Sequence, residues 1–143
     1  MIVYFDTSAV VPIVIEEPTS EVASRLWDDA DRIVSSRLVY VEGRAALAMA
    51  HRMDRLGDAA LRTAIGDFDS ICQQLDMVEV TDELVGEAGN LAQEFGLRGY
   101  DAVHLASAQA VSDEDLVVAA GDQGLLSAAE ALGFATADLS AGS

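Results

Sequence analysis

Four acidic residues stand in apolar stretches of this chain, where an unpaired charge is costly, and they are its best candidates for chemistry. Asp6 directly follows the run "IVYF", and Asp122 follows "LVVAAG". Glu42 lies in "YVEGRAALAMA" and Asp101 in "GLRGYDAVHLASA". Buried carboxylates that converge repel one another, and their pKa values rise. A divalent cation that prefers hard oxygen ligands, Mg²⁺ or Mn²⁺, relieves this repulsion, so the pattern predicts a metal site.

Such a site has a definite chemistry, but each acid also has a simpler interpretation. One or two ions held by carboxylates can polarise a phosphodiester and lower the pKa of a bound water for in-line attack. Alternatively, Asp6 and Asp101 can cap helices, Asp122 can shape a turn, and Glu42 can interact with a helix dipole. Taken singly, the four positions decide nothing. Their joint placement carries the prediction of a metal site.

The elements that must position these acids alternate between short apolar runs and longer amphipathic stretches. The apolar runs predict strands at 2–5, 32–35, 77–80, 116–120 and 134–136. Helical periodicity predicts helices at 8–16, 19–29, 37–56, 58–74, 100–111 and 122–132. A further helix is predicted between Thr81, which can cap its start, and Gly96, which can end it. Alternating strands and helices predict a mostly parallel sheet covered on both faces. Ligands of such sheets gather at the carboxyl ends of the strands, which is where Asp6 stands.

Length and composition predict a single folded domain. The chain has 143 residues, of which 51% are hydrophobic and 23% charged. We predict a domain at 1–138 and a flexible tail at 139–143. The longest apolar stretch, "VVPIVI" at 10–15, is too short to span a bilayer, and no secretory leader is visible. Cys72 is the only cysteine, which excludes an intramolecular disulfide and is typical of a cytoplasmic protein.

The charge balance is strongly acidic. There are 25 acidic and 8 basic residues, a net charge of −17, and every basic residue is arginine. This charge argues against a broad face for non-specific binding of nucleic acid. It has two open interpretations: general solubility, or carboxylates concentrated where a cation or a basic partner binds.

Four stretches around the acids share a pattern of one acid per motif: "VYFDTSAVV" at 3–11, "VEGRAAL" at 41–47, "GLRGYDAVHLASA" at 96–108 and "VVAAGDQGLLSAA" at 117–129. In these stretches the chain resembles the PIN-domain ribonucleases, specifically the VapC-type toxins of bacterial toxin–antitoxin pairs. The third stretch is the most specific, because an acid followed by Ala, an apolar residue, His and Leu-Ala is characteristic of that family.

The resemblance implies a PIN-like three-layer α/β/α sandwich with a mostly parallel central sheet of four to five strands. It implies a Mg²⁺- or Mn²⁺-dependent endoribonuclease that leaves 5′-phosphate and 3′-hydroxyl ends. The expected catalytic metal ligands are Asp6, Glu42, Asp101 and Asp122. The expected partners are an RNA substrate, a cognate antitoxin and a second copy of the chain in a homodimer.

Three further positions of the motifs bear on the site. Ser8 resembles a family position that supports the metal shell, and it can also cap a helix. Ala120 stands where many relatives carry a hydroxyl, which puts a second metal ion in doubt. His104, on an apolar helix, is predicted to be a buried orienting residue and not a general base.

Three arginines near the motifs have two interpretations each. Arg37, Arg44 and Arg98 could contact RNA phosphates, with Arg98 as a supporting site residue, or they could form local salt bridges.

Other functions for the same architecture can be compared on single residues. Phospho-acceptor domains need a lysine near the last strand, and this chain contains none. Aspartate-nucleophile phosphatases need a second Asp two residues after the first, where Ser8 stands. A catalytically degenerate PIN-like domain that binds a basic partner through an acidic groove remains the alternative.

Overall fold

The computed structural model describes residues 1–111 and 115–142. Its strands are β1 (Ile2–Phe5), β2 (Arg32–Ser36), β3 (Asp76–Val78), β4 (Leu116–Ala120) and β5 (Ala135–Asp138). Its helices are α1 (Thr7–Val14), α2 (Ser20–Asp29), α3 (Val39–Arg52), α4 (Asp58–Gln74), α5 (Asp82–Phe95), α6 (Gly99–Val111) and α7 (Gln123–Ala131), followed by a 3₁₀ turn at Leu139–Gly142.

The five strands form one sheet in the order β3-β2-β1-β4-β5, and every pairing is parallel. Strand β1 lies in the centre, with Ile2 opposite both Arg32 of β2 and Leu116 of β4. Because all strands run the same way, their carboxyl ends meet at one edge. The predicted mostly parallel sheet of four to five strands is confirmed, with five strands that are all parallel.

Helices cover both faces of the sheet because successive side chains of a strand point to opposite faces. Tyr4 of β1 faces a core formed with α5, α6 and α7, whose buried side chains include Leu84, Leu105 and Leu125. Its neighbours Val3 and Phe5 face the second core, with buried residues of α1 to α4. The predicted three-layer α/β/α sandwich is therefore confirmed.

Helix α5 shows how local sequence sets these boundaries. The Oγ1 atom of Thr81 accepts a hydrogen bond from the backbone N–H of Leu84 at 3.1 Å, as an N-cap residue should. The helix ends at Gly96, whose φ of 66° lies in the left-handed region. Both signals were predicted from the sequence.

Several predicted boundaries are wrong by one or two residues, among them those of α1, predicted at 8–16, and β5, predicted at 134–136. Two other errors have a clear structural cause. Helix α3 ends at Arg52 and not at 56, because Asp54 adopts a left-handed φ of 59° and Arg55 N–H bonds back to the carbonyl of Ala50 at 2.9 Å. Strand β3 covers Asp76–Val78 instead of 77–80, because its pairing with β2 reaches only Ser36 opposite Val78.

The predicted tail differs from the structure at its first residue. Leu139 is fully buried and belongs to the second core. The backbone of 139–142 forms the 3₁₀ turn, and Ser143 lies outside the described residues. Within the described residues, no helix combines the length and apolar character needed to cross a membrane.

Candidate active site

The four predicted acids come from four elements that meet at the carboxyl edge of the sheet. Asp6 directly follows β1, and Asp122 comes just after β4. Glu42 and Asp101 lie in the first turns of α3 and α6. The backbone N–H of Asp6 donates to the carbonyl of Ala119 at 3.2 Å, which continues the pairing of β1 with β4 and holds Asp6 at this edge.

Asp6 is buried, with only 5% of its surface exposed. The Ser8 hydroxyl donates to Asp6 Oδ1 at 2.6 Å and accepts a hydrogen bond from the backbone N–H of Gly121 at 2.9 Å. Asp6 occupies the N-cap position of α1, yet its carboxylate makes no capping hydrogen bond. The simpler interpretation of its side chain as a helix cap is therefore wrong, and Ser8 links Asp6 to the turn that carries Asp122.

The pKa of the Asp6 carboxyl group is raised from its ordinary value to about 6. Burial is the largest cause of this rise, and the charges of Asp101 and Glu42 add to it. The hydrogen bond from Ser8 opposes that rise, as does His104 whenever its ring is protonated. The electrostatic influence of two other acids on Asp6 indicates that the carboxylates from separate elements share one neighbourhood.

Glu42 is held by a chain of buried hydrogen bonds. His104 is 2% exposed, and its Nε2 lies 2.6 Å from Glu42 Oε1. Its Nδ1 lies 2.8 Å from the Tyr4 hydroxyl. The Thr7 hydroxyl also donates to Glu42 Oε1 at 2.9 Å. With Glu42 ionised, His104 donates from Nε2 and accepts from the Tyr4 hydroxyl at Nδ1. Both ring nitrogens are thus engaged, which agrees with the predicted orienting histidine.

Tyr4 and Thr7 are parts of this arrangement that the sequence prediction missed. Tyr4 is completely buried, and burial raises the pKa of its phenol well above the usual value, so the hydroxyl stays protonated. A tyrosine within a buried strand needs a hydrogen-bond partner for its hydroxyl, and this need was the available signal.

Arg98 joins the other two acids. Its Nε atom donates to Asp101 Oδ2 at 3.0 Å, and its Nη2 atom donates to Asp122 Oδ2 at 2.8 Å. The hydrogen bond to Asp101, together with the charges of both acids, raises the pKa of the guanidinium. The second oxygen of Asp122, Oδ1, accepts from the backbone N–H of Leu125 at 3.0 Å. Asp122 therefore caps α7 as well, a role that was not predicted from the sequence and that is compatible with a place in the site.

The remaining motif residues are accounted for locally. Arg37 forms an ion pair with Glu79, and Arg44 donates to the Tyr40 hydroxyl at 2.8 Å. Arg37 and Arg98 thus form local salt bridges, as one of their two interpretations predicts. Ala120 is fully buried at the end of β4, and the backbone N–H of the next residue, Gly121, donates to the hydroxyl of Ser8.

The donor set fits a divalent cation in its chemistry. All four acids offer hard oxygen ligands, and Asp6 bears the cost of burial next to other negative charges. Over residues 1–111 and 115–142, no three Asp, Glu, His or Cys side chains are already arranged to hold a metal ion. In this arrangement the positive charge beside Asp101 and Asp122 is the guanidinium of Arg98.

Known proteins resemble this chain in sequence and in fold. The family model of the PIN domain matches residues 3–131. Ribonuclease VapC45 of Mycobacterium tuberculosis (strain CDC 1551 / Oshkosh) is 47% identical over 132 residues, which cover 92% of each chain.

Solved structures share the fold. VapC20 of Mycobacterium tuberculosis, described as a sarcin-ricin loop cleaving toxin, superposes with a TM-score of 0.67 at 20% identity, over 92% of this chain and 95% of that one. A toxin–antitoxin complex from Klebsiella pneumoniae superposes with a TM-score of 0.58 at 18% identity, over 84% and 86% of the two chains.

Proposed function

The chain belongs to the PIN-domain family, among the VapC ribonucleases, and from this premise we propose that it is a metal-dependent endoribonuclease. In this proposal it hydrolyses RNA phosphodiester bonds with Mg²⁺ or Mn²⁺ and acts as the toxin of a type II toxin–antitoxin pair. The observation that carries the proposal is the buried Asp6, whose pKa is influenced by Asp101 and Glu42 from two other elements at the same sheet edge.

The proposed roles follow from the contacts of each side chain. Asp6, Glu42, Asp101 and Asp122 would hold the ion. When bound, it would supply positive charge at the phosphodiester oxygens and a water of lowered pKa. Ser8 fixes Asp6 through its hydrogen bond to Oδ1, and His104 fixes Glu42 through Oε1. Carboxylates oriented in advance lose less freedom when they bind a ligand.

The proposed function also involves an antitoxin, a second copy of the chain and a cellular location. A cognate antitoxin is supported by the Klebsiella pneumoniae relative, whose structure is described as a toxin–antitoxin complex. The net charge of −17 favours encounter with a basic partner. We further propose a homodimer and a cytoplasmic location, where RNA and a single free thiol are both expected.

The test is cleavage of single-stranded RNA by wild type and Asp101→Asn with Mn²⁺ present. We expect Asp101→Asn to be slower by about 100-fold or more, because a lost ligand weakens the metal site at least as much as a lost supporting contact. Asp67→Asn, at an exposed position on α4, removes the same charge and should cleave at the wild-type rate. Thermal unfolding checks that both variants are folded.

Two outcomes would contradict the proposal: full activity of Asp101→Asn, or undiminished cleavage by wild type in EDTA. The alternative, a degenerate domain that binds a basic partner, is favoured by the two carboxylates that already hold a guanidinium group. It predicts that wild type and Asp101→Asn are both inactive with any ion, while wild type binds a basic partner protein.

A further inference from the structure

Arg98 occupies the oxygen atoms that a metal ion would need at one side of the site. Its guanidinium donates to Oδ2 of Asp101 and to Oδ2 of Asp122. The other oxygen of Asp122 caps α7 through the N–H of Leu125. Oδ2 is thus the oxygen of Asp122 that is not engaged in capping α7, and it is the atom that Arg98 holds.

The backbone around Arg98 is fixed, whereas its side chain is free to leave. Gly96 has a φ in the left-handed region, and Leu97 packs against the core formed with α5, α6 and α7. The carbonyl of Arg98 accepts the N–H of Ala102 at 3.0 Å at the start of α6. The Arg98 side chain is 79% exposed, compared with 15% for Asp101 and 29% for Asp122.

An arginine in this position has the right charge and shape to stand in for a cation. The planar guanidinium presents several donors in one fork and can contact two carboxylates together. Ion pairs made by such an exposed side chain are weak, so they can be exchanged for a stronger ligand. The like charges of Asp101 and Asp122 are balanced by Arg98 until that exchange takes place.

We propose that Arg98 is a tethered counter-ion that competes with the divalent cation for Asp101 and Asp122 and thereby lowers the affinity of the site for metal. This inference rests on the proposed function, in which these acids are metal ligands. The Arg98 side chain must swing away from both Oδ2 atoms before an ion can bind them. The affinity for metal is therefore set partly by a residue that is not a ligand.

The test is calorimetric titration of the metal-free protein with Mn²⁺ at low ionic strength. We expect Arg98→Gln to bind Mn²⁺ about threefold to tenfold more tightly than wild type, because the competitor is gone. Arg98→Lys keeps the positive charge but not the fork, and its affinity should fall between the two.

The control is Arg32→Gln. Arg32 begins β2 and pairs with Asp76 at 2.5 Å, at the opposite end of the strands from the four acids. Each substitution to Gln removes one arginine, so the net charge changes equally from −17 to −18. Arg98→Gln removes two ion pairs, and Arg32→Gln removes one. Arg32→Gln should bind Mn²⁺ within about twofold of wild type, because charges at that distance are largely screened.

A second measurement is thermal unfolding with EDTA and with Mn²⁺. Without metal, Arg98→Gln should melt below wild type because Asp101 and Asp122 lose their counter-ion. With Mn²⁺ it should gain more in melting temperature than wild type, since it binds the ion more tightly.

The outcomes separate the two proposals. If Asp101→Asn abolishes Mn²⁺ binding but Arg98→Gln binds no more tightly than wild type, the counter-ion proposal is overturned and the nuclease proposal stands. Equal tightening in Arg32→Gln would overturn it too, because the effect would then be one of overall charge. If wild type and Arg98→Gln both fail to bind Mn²⁺, the proposed metal-dependent function fails and the counter-ion proposal fails with it.

Discussion

At the scale of residues, the buried chain from Tyr4 through His104 to Glu42 holds one carboxylate in place without exposing the polar groups that do so. The hydroxyl of Tyr4 and both ring nitrogens of His104 are engaged, so neither buried side chain lacks a partner. A buried polar group that loses its partner pays its full desolvation cost. The position of Glu42 therefore depends on an atom of β1 on the far side of the imidazole.

Removal of the Tyr4 hydroxyl tests this dependence. We expect Tyr4→Phe to lower the free energy of unfolding by about 1–3 kcal/mol, because His104 Nδ1 is left buried without a donor. Tyr100→Phe removes the same atom from a residue that is 64% exposed and should change stability by less than about 0.5 kcal/mol. Urea unfolding followed by circular dichroism measures both. Equal stability of the two variants would contradict the proposed role of the hydroxyl.

The sequence predicts the acids of the site better than the residues that support them. Asp6 and Asp122 can be predicted because each directly follows a recognisable strand of a parallel sheet. The bond from Tyr4 to His104 joins residues 100 positions apart, and no local pattern encodes it. The two interpretations of Arg98 stay open from sequence for a similar reason, since its contact with Asp122 depends on how α6 packs beside α7.

At the scale of elements, α3 carries Glu42 and packs so closely on α4 that one position admits only glycine. A Cβ atom on Gly43 would lie 2.1 Å from Cζ of Phe68, far inside contact distance. Phe68 is fully buried and stacked against Tyr40, so its ring has little room to move. The glycine next to Glu42 therefore sets the distance between the two helices.

A methyl group at this crossing should be costly. We expect Gly43→Ala to lower the free energy of unfolding by about 1–3 kcal/mol through overpacking, despite the better helix propensity of alanine. Gly66→Ala, within α4 and with open space around the new atom, should instead stabilise the protein by about 0.5–1 kcal/mol. Urea unfolding of both variants provides the comparison, and a stabilised Gly43→Ala would refute the close packing.

Element types and most boundaries are predictable because the apolar runs of the buried strands are continuous. The predicted strand at 116–120 and the predicted helix at 58–74 coincide with β4 and α4. The misjudged ends of α3 and β3 depend on a left-handed Asp54 and on how far β2 extends beside its neighbour. Such details follow from tertiary contacts and not from local apolar periodicity.

At the scale of the whole molecule, the second core is closed by a residue from the far end of the described chain. Leu139 is completely buried, among residues that include Val3 and Phe5. The residues after β5 are therefore part of the fold beneath the central strand.

Truncation of this side chain should destabilise the protein as a core substitution does. We expect Leu139→Ala to lower the free energy of unfolding by about 2–5 kcal/mol, because it leaves a cavity. Val85→Ala, at a residue that is 50% exposed, should cost less than about 1 kcal/mol. Denaturant unfolding distinguishes the two, and a Leu139→Ala variant as stable as wild type would show that this turn contributes little.

The order of strands also has a consequence for synthesis of the protein on the ribosome. Strand β1 precedes all others in the chain, but one of its two neighbours in the sheet is β4, at Leu116–Ala120. A nascent polypeptide cannot complete the centre of its sheet until those residues have left the exit tunnel. Asp6 can meet the turn that bears Asp122 only after that turn has been synthesised, so the acidic edge forms later in translation than the pairing of β1 with β2 can.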